Sequence, residues 1–511
     1  MALSGRACRR AGALLALLLS ASWFDPGLAQ EPSDPLDPLV RALAEGRAAL
    51  AAEKTEPAIA AFRHAQGLLG QRLLYGERER FFVEESAAIY RGLAEAYLRS
   101  RDPYAAAVEA YRGVNLVASD ARLWTLLGLA RHQMADIDGA AEALGRAVLL
   151  DPDAAEAHWG LGLVAIAENR PSAARDHGRR AYEISERPRF ALGLAQWAAV
   201  DGDYAAAGDA LATYLALAPE DPSAESYRRL QRFYRELGRA PVNVIDDRVT
   251  RLQLSFDLKP GDEIPYVPVR INGRESAYIL FDTGAERNVI DRAYAESIGA
   301  GPIFPGGPLH GAYRQSPGGY AIVDSVAFGS VTVPRVPFAV GDFAALNLRG
   351  QGDYYIAAVI NPALVFRDFL VILDLGHRRI ELVRYGAGGE TYVGRQTRLR
   401  KNAIPFHFDV NGVWPVVPVS LDGARALPFL VDTGASDVFI ARETAAALML
   451  DPARFVASAG GYSREDLRFL ILDGALAEPW GIAVHGILGF PFFRGMRVAF
   501  DYRSMTMVLE N

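Results

Sequence analysis

The chain has 511 residues, half of them hydrophobic, and a formal net charge of -7. That composition excludes a disordered or fibrous chain, and the length allows about two to four folded domains. An acidic balance argues against nucleic acid as a partner.

Residues 1–29 carry the marks of an export signal: Arg6, Arg9 and Arg10, an apolar run from Ala11 to Leu19, then Gly27 and Ala29 before Gln30. Cleavage after Ala29 is expected, which places the mature chain in the periplasm or outside the cell. The alternative is a retained anchor helix, because Trp23 and Phe24 prolong the apolar stretch. The run is too short to cross a bilayer, so no stable membrane span is expected after cleavage. The Arg9-Arg10 pair leaves the export route open. Losing Arg6, Arg9, Arg10 and Asp25 removes a net +2, so -7 becomes -9. Cys8, the single cysteine, leaves with the signal, which excludes disulfides and thiol chemistry from the mature chain.

From about Asp37 to Gly238 the sequence is Ala-rich and helical in period, and it repeats every 34 residues. Tyr90, Trp124 and His158 share one repeat position, and Leu93, Leu127 and Leu161 a second. Ala94, Gly128 and Gly162 share a third, and Ala106, Ala140 and Ala174 a fourth. An earlier unit holds Gly46, Ala58 and Ala65, and a later one Gly193, Ala205 and Ala212, so about five helix pairs are expected. Small residues suit close helix crossings and bulky ones the gap to the next pair, which makes these packing positions rather than a chemical site. Gly160-x-Gly162-x-x-Ala165 imitates a dinucleotide fingerprint but follows no strand, so it is no phosphate loop. The pattern resembles tetratricopeptide repeats, a resemblance that implies a groove for a protein partner.

From about Val244 short alternating strands take over, punctuated by Pro and Gly. Pro268-Val269, Gly273, Asp282-Thr283-Gly284-Ala285 and Gly311 recur 150 positions later as Pro418-Val419, Gly423, Asp432-Thr433-Gly434-Ala435 and Gly461. Asn272-Gly273 and Asp422-Gly423 predict hairpin turns, and each returning strand ends on an Asp of the duplicated triplet before turning into a short helix. Each copy closes with a strand pair, Val371–Asp374 to Ile380–Val383 and Val498–Asp501 to Met507–Leu509, offset by 127, so the second copy has lost 23 residues. The loss falls at about Ser325 to Val340, where the first copy carries an extra hairpin. Gly386–Gly389 and the basic run Arg395 to Lys401 form a connection between copies.

One triplet alone would be a turn in which Asp caps a helix and Gly supplies a positive φ. Two in matched contexts resemble the retropepsin-like aspartic peptidases of the pepsin clan, over roughly residues 250–511. The resemblance implies that Asp282 and Asp432 are the catalytic dyad, because one carboxylate must take a proton from water while the other polarises the scissile carbonyl. It also implies that Thr283 and Thr433 bond across to the opposite loop and that Gly284 and Gly434 leave room for backbone amides. The family's hydrophobic-hydrophobic-Gly support is present as Ile487-Leu488-Gly489, whereas the first copy has Val359-Ile360-Asn361, which sets the first lobe's geometry apart. Tyr313 and Tyr462 are flap candidates.

There is no His-Glu-x-x-His, no Gly-x-Ser-x-Gly and no Walker loop, and the eight histidines lack metal-ligand spacing, so no metal or cofactor is expected. His310, His377 and His485 are expected to be local structural residues. The expected fold is multidomain: an all-α tetratricopeptide solenoid over 37–240, then an all-β, two-lobed aspartic-peptidase (acid protease) fold. Lobe 1 spans 244–385, a linker 386–401 and lobe 2 402–511. The expected function is an exported aspartic endopeptidase acting on a peptide or protein substrate, with the repeats recruiting a protein partner. The alternatives are a non-catalytic scaffold whose lobes only bind peptide, and lobes that pair in a homodimer.

Overall fold

The computed structural model describes residues 37–74, 82–259, 262–310, 315–344, 355–386, 403–473 and 481–510. The expected signal (1–29), Tyr313 and nearly all of the expected linker lie outside them. Contacts divide the chain into two compact units. Unit 1 comprises Met1–Ala165, Ser172–Leu194 and Ala477–Ala483, and unit 2 comprises Ile166–Pro171, Ala195–Leu476 and Val484–Asn511.

The front half forms α1 (Pro38–Ala51), α2 (Thr55–Leu74), α3 (Val83–Arg99), α4 (Pro103–Leu116), α5 (Ala121–Gln133), α6 (Ile137–Leu150), α7 (Ala155–Ala167) and α8 (Pro171–Ile184). It continues with α9 (Pro188–Val200), α10 (Tyr204–Leu217) and α11 (Ala224–Leu237). Their starts are set by recurrent caps. Asp102, Asp120, Asp136 and Asp203 each accept from the backbone N–H three residues on, which satisfies a donor that the first turn leaves unpaired.

Within unit 1 the small residues act as expected. A Cβ on Gly128 would sit 2.5 Å from Leu144, and one on Gly193 would sit 2.0 Å from Trp159. Trp124 donates to the Ala118 carbonyl at 2.9 Å, and His158 meets the Pro152 carbonyl at 3.1 Å, so both tie themselves to the loop six residues back. The Gly160 motif lies inside α7.

In unit 2 the strands begin at Arg251. The first lobe is an eight-stranded sheet in the order Asp257–Lys259, Asp262–Ile271, Arg274–Phe281, Ile356–Ile360, Val289–Asp291, Val331–Gly341, Gly319–Phe328 and Phe304–Pro305. Arg270 and Ile271 also pair with Ala327 and Val326, which curls the sheet toward a barrel. The second lobe repeats the central order with Pro415–Leu421, Leu427–Val431, Gly486–Leu488, Val438–Ala441 and Phe469–Leu472. Asn272 and Gly273 have φ 51° and 75°, and Asp422 and Gly423 have 46° and 77°, the paired positive values that a tight hairpin turn demands.

The expected extra hairpin is Gly319–Phe328 with Val331–Gly341, turning at Gly329. In lobe 2 only the four-residue strand Phe469–Leu472 takes the place of its second arm, parallel to Val438–Ala441. The expected direct passage from each triplet loop into a helix is corrected: a strand, Val289–Asp291 or Val438–Ala441, comes first, and the helices Arg292–Ser297 and Arg442–Ala447 follow.

The closing strand pairs of both copies merge into one six-stranded sheet, where Val371 of the first copy faces Phe500 of the second. A single apolar core, including Phe281, Phe366, Val431 and Phe500, runs through both lobes. Burying that surface is what holds the two copies together.

Candidate active site

Each triplet sits where a strand runs out beside a parallel neighbour. The Asp282 N–H donates to the Ile360 carbonyl at 3.0 Å and the Asp432 N–H to the Leu488 carbonyl at 3.2 Å, so equivalent strands support equivalent loops. The threonines then exchange places across the lobes. Thr283 Oγ1 donates to the Val431 carbonyl at 2.8 Å and accepts from the Thr433 N–H at 3.1 Å. Thr433 Oγ1 donates to the Phe281 carbonyl at 2.9 Å and accepts from the Thr283 N–H at 3.1 Å. Both threonines are 1% exposed, so these four bonds form away from competing water.

The glycines are required by space. A Cβ on Gly284 would lie 2.3 Å from Cγ of Asp432, and one on Gly434 would lie 2.4 Å from Cγ of Asp282. With no Cβ there, each glycine N–H reaches the carboxylate of its own loop, Gly284 to Asp282 Oδ1 at 2.7 Å and Gly434 to Asp432 Oδ1 at 2.8 Å.

Asp282 and Asp432 hydrogen-bond to each other. Protein packs closely round both, though each keeps a partly exposed face. Asp432 is pushed well above the ordinary carboxylate value, first by burial, then by the negative charge of Asp282 and the bond to it. Asp282 is also raised by burial, but hydrogen bonds from Asp432 and from the N–H groups of Gly284, Gly434 and Ala285 offset part of that. The pair therefore holds one proton in common, with Asp282 the readier to ionise. Two carboxyls sharing one proton is the general behaviour of aspartic-protease dyads, so it is a property of the class and not peculiar to this chain.

Asn361, where the first lobe departs from the second, supports the first loop by its side chain. Its Nδ2 donates to the carbonyls of Ala285 at 2.7 Å and Thr283 at 3.2 Å, and its Oδ1 accepts from the Ala363 N–H at 2.8 Å. Its own N–H donates to Oδ1 of buried Asn288 at 3.1 Å. In lobe 2 the Phe490 N–H serves the Ala435 carbonyl at 2.9 Å instead, and a Cβ on Gly489 would come 2.0 Å from the Asp437 carbonyl. The side chain of Asn361 thus replaces a backbone donor. Asn288 was missed in the sequence, as was Asp291, which accepts from the Phe343 N–H at 3.0 Å and from the Tyr355 hydroxyl. An amide or carboxyl set against apolar Val289-Ile290 or Val359-Ile360 is the pattern that marks them.

Tyr462 begins the strand Tyr462–Leu467, packs its ring edge-on to Phe492 at 5.8 Å and accepts from Arg464. That anchors it in the lobe 2 core, and the other flap candidate, Tyr313, lies outside the described residues. His377 meets Asp374 at 3.0 Å and His485 meets Thr444 at 2.8 Å, so both are structural. Among the described residues no cluster of His, Cys, Asp or Glu is fit for a metal ion, and no helix is long and apolar enough to cross a membrane.

The aspartyl protease family profile matches residues 267–356 and 417–461, segments that contain both triplets, and the tetratricopeptide repeat profile matches 125–187. The chain thus carries segments that match the retropepsin-like aspartyl proteases, after segments that match tetratricopeptide repeats. Among solved structures, this repeat-bearing aspartyl protease fold is similar to a thermophilic tetratricopeptide protein of Thermus thermophilus, with 18% identity, 39% of this chain and 98% of that chain covered, and a TM-score of 0.31. The pilF protein of Pseudomonas aeruginosa gives 20%, 40%, 95% and 0.29 on the same measures. An O-GlcNAc transferase of Thermobaculum terrenum gives 23% identity over 26% of each chain, so only about a quarter of its length is spanned, at a TM-score of 0.25. At these identities and scores none of the three carries an argument about function. Among curated proteins nothing matches the chain.

Proposed function

We propose that the protein is an exported aspartic endopeptidase, periplasmic or secreted, with Asp282 and Asp432 as one intramolecular dyad and the repeats recruiting or presenting a protein partner. The observation that carries this reading is geometric: each carboxyl packs against the glycine of the opposite loop, and the two threonines lock the loops to each other. A water held between them loses a proton to the Asp282 carboxylate as its oxygen attacks the scissile carbonyl carbon. The Asp432 proton passes to the carbonyl oxygen, and the tetrahedral diol that forms collapses with proton transfer to the amide nitrogen, breaking the C–N bond. The buried, mutually bonded threonines hold both carboxyls in place through this cycle.

A non-catalytic scaffold would be favoured by a first loop left without support, and Asn361 instead bonds to the Thr283 and Ala285 carbonyls of that loop. The test is cleavage of a mixed peptide library across acid to neutral pH by the intact chain beside its Asp282→Asn and Asp432→Asn variants. Loss of the same cleavages in both variants establishes one shared site. Loss in neither, or an intact protein that cuts nothing, rejects the endopeptidase reading.

A further inference from the structure

Beside the first active loop lies a group of residues that the catalytic cycle does not use. Arg287 is five positions after Asp282, so at no more than about 3.6 Å per residue it stays within roughly 18 Å of the dyad, the reach of an extended peptide held there. Its Nη1 donates to the Tyr320 hydroxyl at 3.2 Å, and its Nη2 meets Glu286 Oε1 at 3.3 Å. The Tyr320 ring stacks on Phe233 of α11 at 4.9 Å, and the next residue of α11, Tyr234, lies 5.6 Å ring to ring from Tyr204 of α10. Arg229 fixes α11 to the lobe by donating to the Gly306 carbonyl at 3.0 Å, and Arg335 reaches the Leu237 carbonyl at 3.4 Å. All of these residues belong to unit 2.

The Arg287 guanidinium stays charged. Burial alone would lower its pKa, but Glu286 and the oxygens of Tyr320 and Tyr234 hold it above the ordinary value. Its partner Glu286 is its own chain neighbour, and the two side chains are 47% and 43% exposed, so that pair holds weakly against a better-placed carboxylate. The position equivalent to Arg287 in lobe 2 is Asp437, bonded to Ser436 at 2.9 Å. The cation of the first loop thus has an acidic residue at its equivalent position in the second.

We infer that Arg287, with the Tyr320 hydroxyl, forms a carboxylate-recognising subsite that gives the enzyme a preference for acidic peptides. The inference rests on the endopeptidase reading. It gives the repeat array's last helix a place in substrate selection, because Phe233 of α11 stacks on Tyr320. Guanidinium and carboxylate match in a two-pronged geometry that an amide isostere cannot reproduce, which makes the acid-to-amide ratio the natural measure.

The experiment compares kcat/KM for peptides carrying Glu or Gln at each position within four residues of the cleaved bond, with free or amidated C-termini. The proteins are the intact chain and its Arg287→Met, Arg287→Lys, Tyr320→Phe and Glu286→Gln variants. The intact chain is expected to favour acid over amide about tenfold at one position, as one charge-assisted pair supplies. Arg287→Met should bring the ratio to about one, Arg287→Lys should keep part of it, and Glu286→Gln should increase it. A preference for the free C-terminus instead of an internal Glu identifies the terminal carboxylate as the ligand. The same peptides are titrated by fluorescence anisotropy against the Asp432→Asn protein, so selectivity is read without turnover. If nothing is cleaved but Arg287-dependent selectivity appears there, the endopeptidase reading fails and the subsite stands. If the acid-to-amide ratio is the same with Met at position 287, in cleavage and in binding, the subsite is overturned.

Discussion

At the scale of single residues, the two carboxyls make linked predictions. Asp282→Asn and Asp432→Asn should each lower peptide cleavage by about 10²–10⁴-fold, the usual worth of a positioned acid or base. A carboxyl whose pKa is raised by folding is protonated more readily in the folded chain than in the unfolded one. The pair therefore contributes stability below the ordinary value of 3.8 and costs stability as pH rises through and beyond it. Melting temperatures taken from acid to neutral pH should fall with this cost, and Asp432→Asn should flatten the fall; equal slopes in both proteins would contradict the assigned burial. Thr433→Ala removes two cross-lobe bonds, to the Phe281 carbonyl and from the Thr283 N–H, and should destabilise by about 1–3 kcal/mol in urea unfolding, while Thr433→Ser retains most of the stability. These residues were legible because a duplicated triplet shows itself in the letters alone. The roles of Asn288 and Asn361 were not, because an amide beside an apolar pair marks the position but not its partners, backbone groups up to 78 positions away.

At the scale of elements, starts and turns are written locally and strand neighbours are not. Asp136→Ala removes the cap of α6 and should cost about 1 kcal/mol, measured as a shift in the urea midpoint. The hairpins were legible from Asn272-Gly273 and Asp422-Gly423, since few residue pairs tolerate two successive positive φ values. The parallel partnership of Ile356–Ile360 with Arg274–Phe281 was not legible, because a crossover ladder leaves no trace in either strand's own alternation. The supports under the two loops also answer differently to substitution. Gly489→Ala brings a Cβ against the Asp437 carbonyl and should abolish cleavage and lower the melting temperature. Asn361→Gly leaves the Ala285 carbonyl without its donor and should cost about 1–3 kcal/mol in the same unfolding assay.

At the scale of the whole molecule, the two copies share a six-stranded sheet and one core, so neither is a self-sufficient domain. A chain opened between residues 386 and 403 should yield halves that co-purify as a complex when produced together and cleave no peptide apart; independent activity of either half would contradict the shared dyad. The 150-residue repeat predicted two lobes but not how far their strands interleave, because the pairing of Val371 with Phe500 joins positions that no short-range rule connects. The exchange of threonines has a consequence for descent. Once Thr283 rests on the backbone at Val431 and Thr433 on that at Phe281, the duplication that made the chain can no longer be undone, since deleting either copy deletes the footing of the other. Each copy is still free to drift away from the contact point, as Asn361 standing where its sibling keeps Gly489 records.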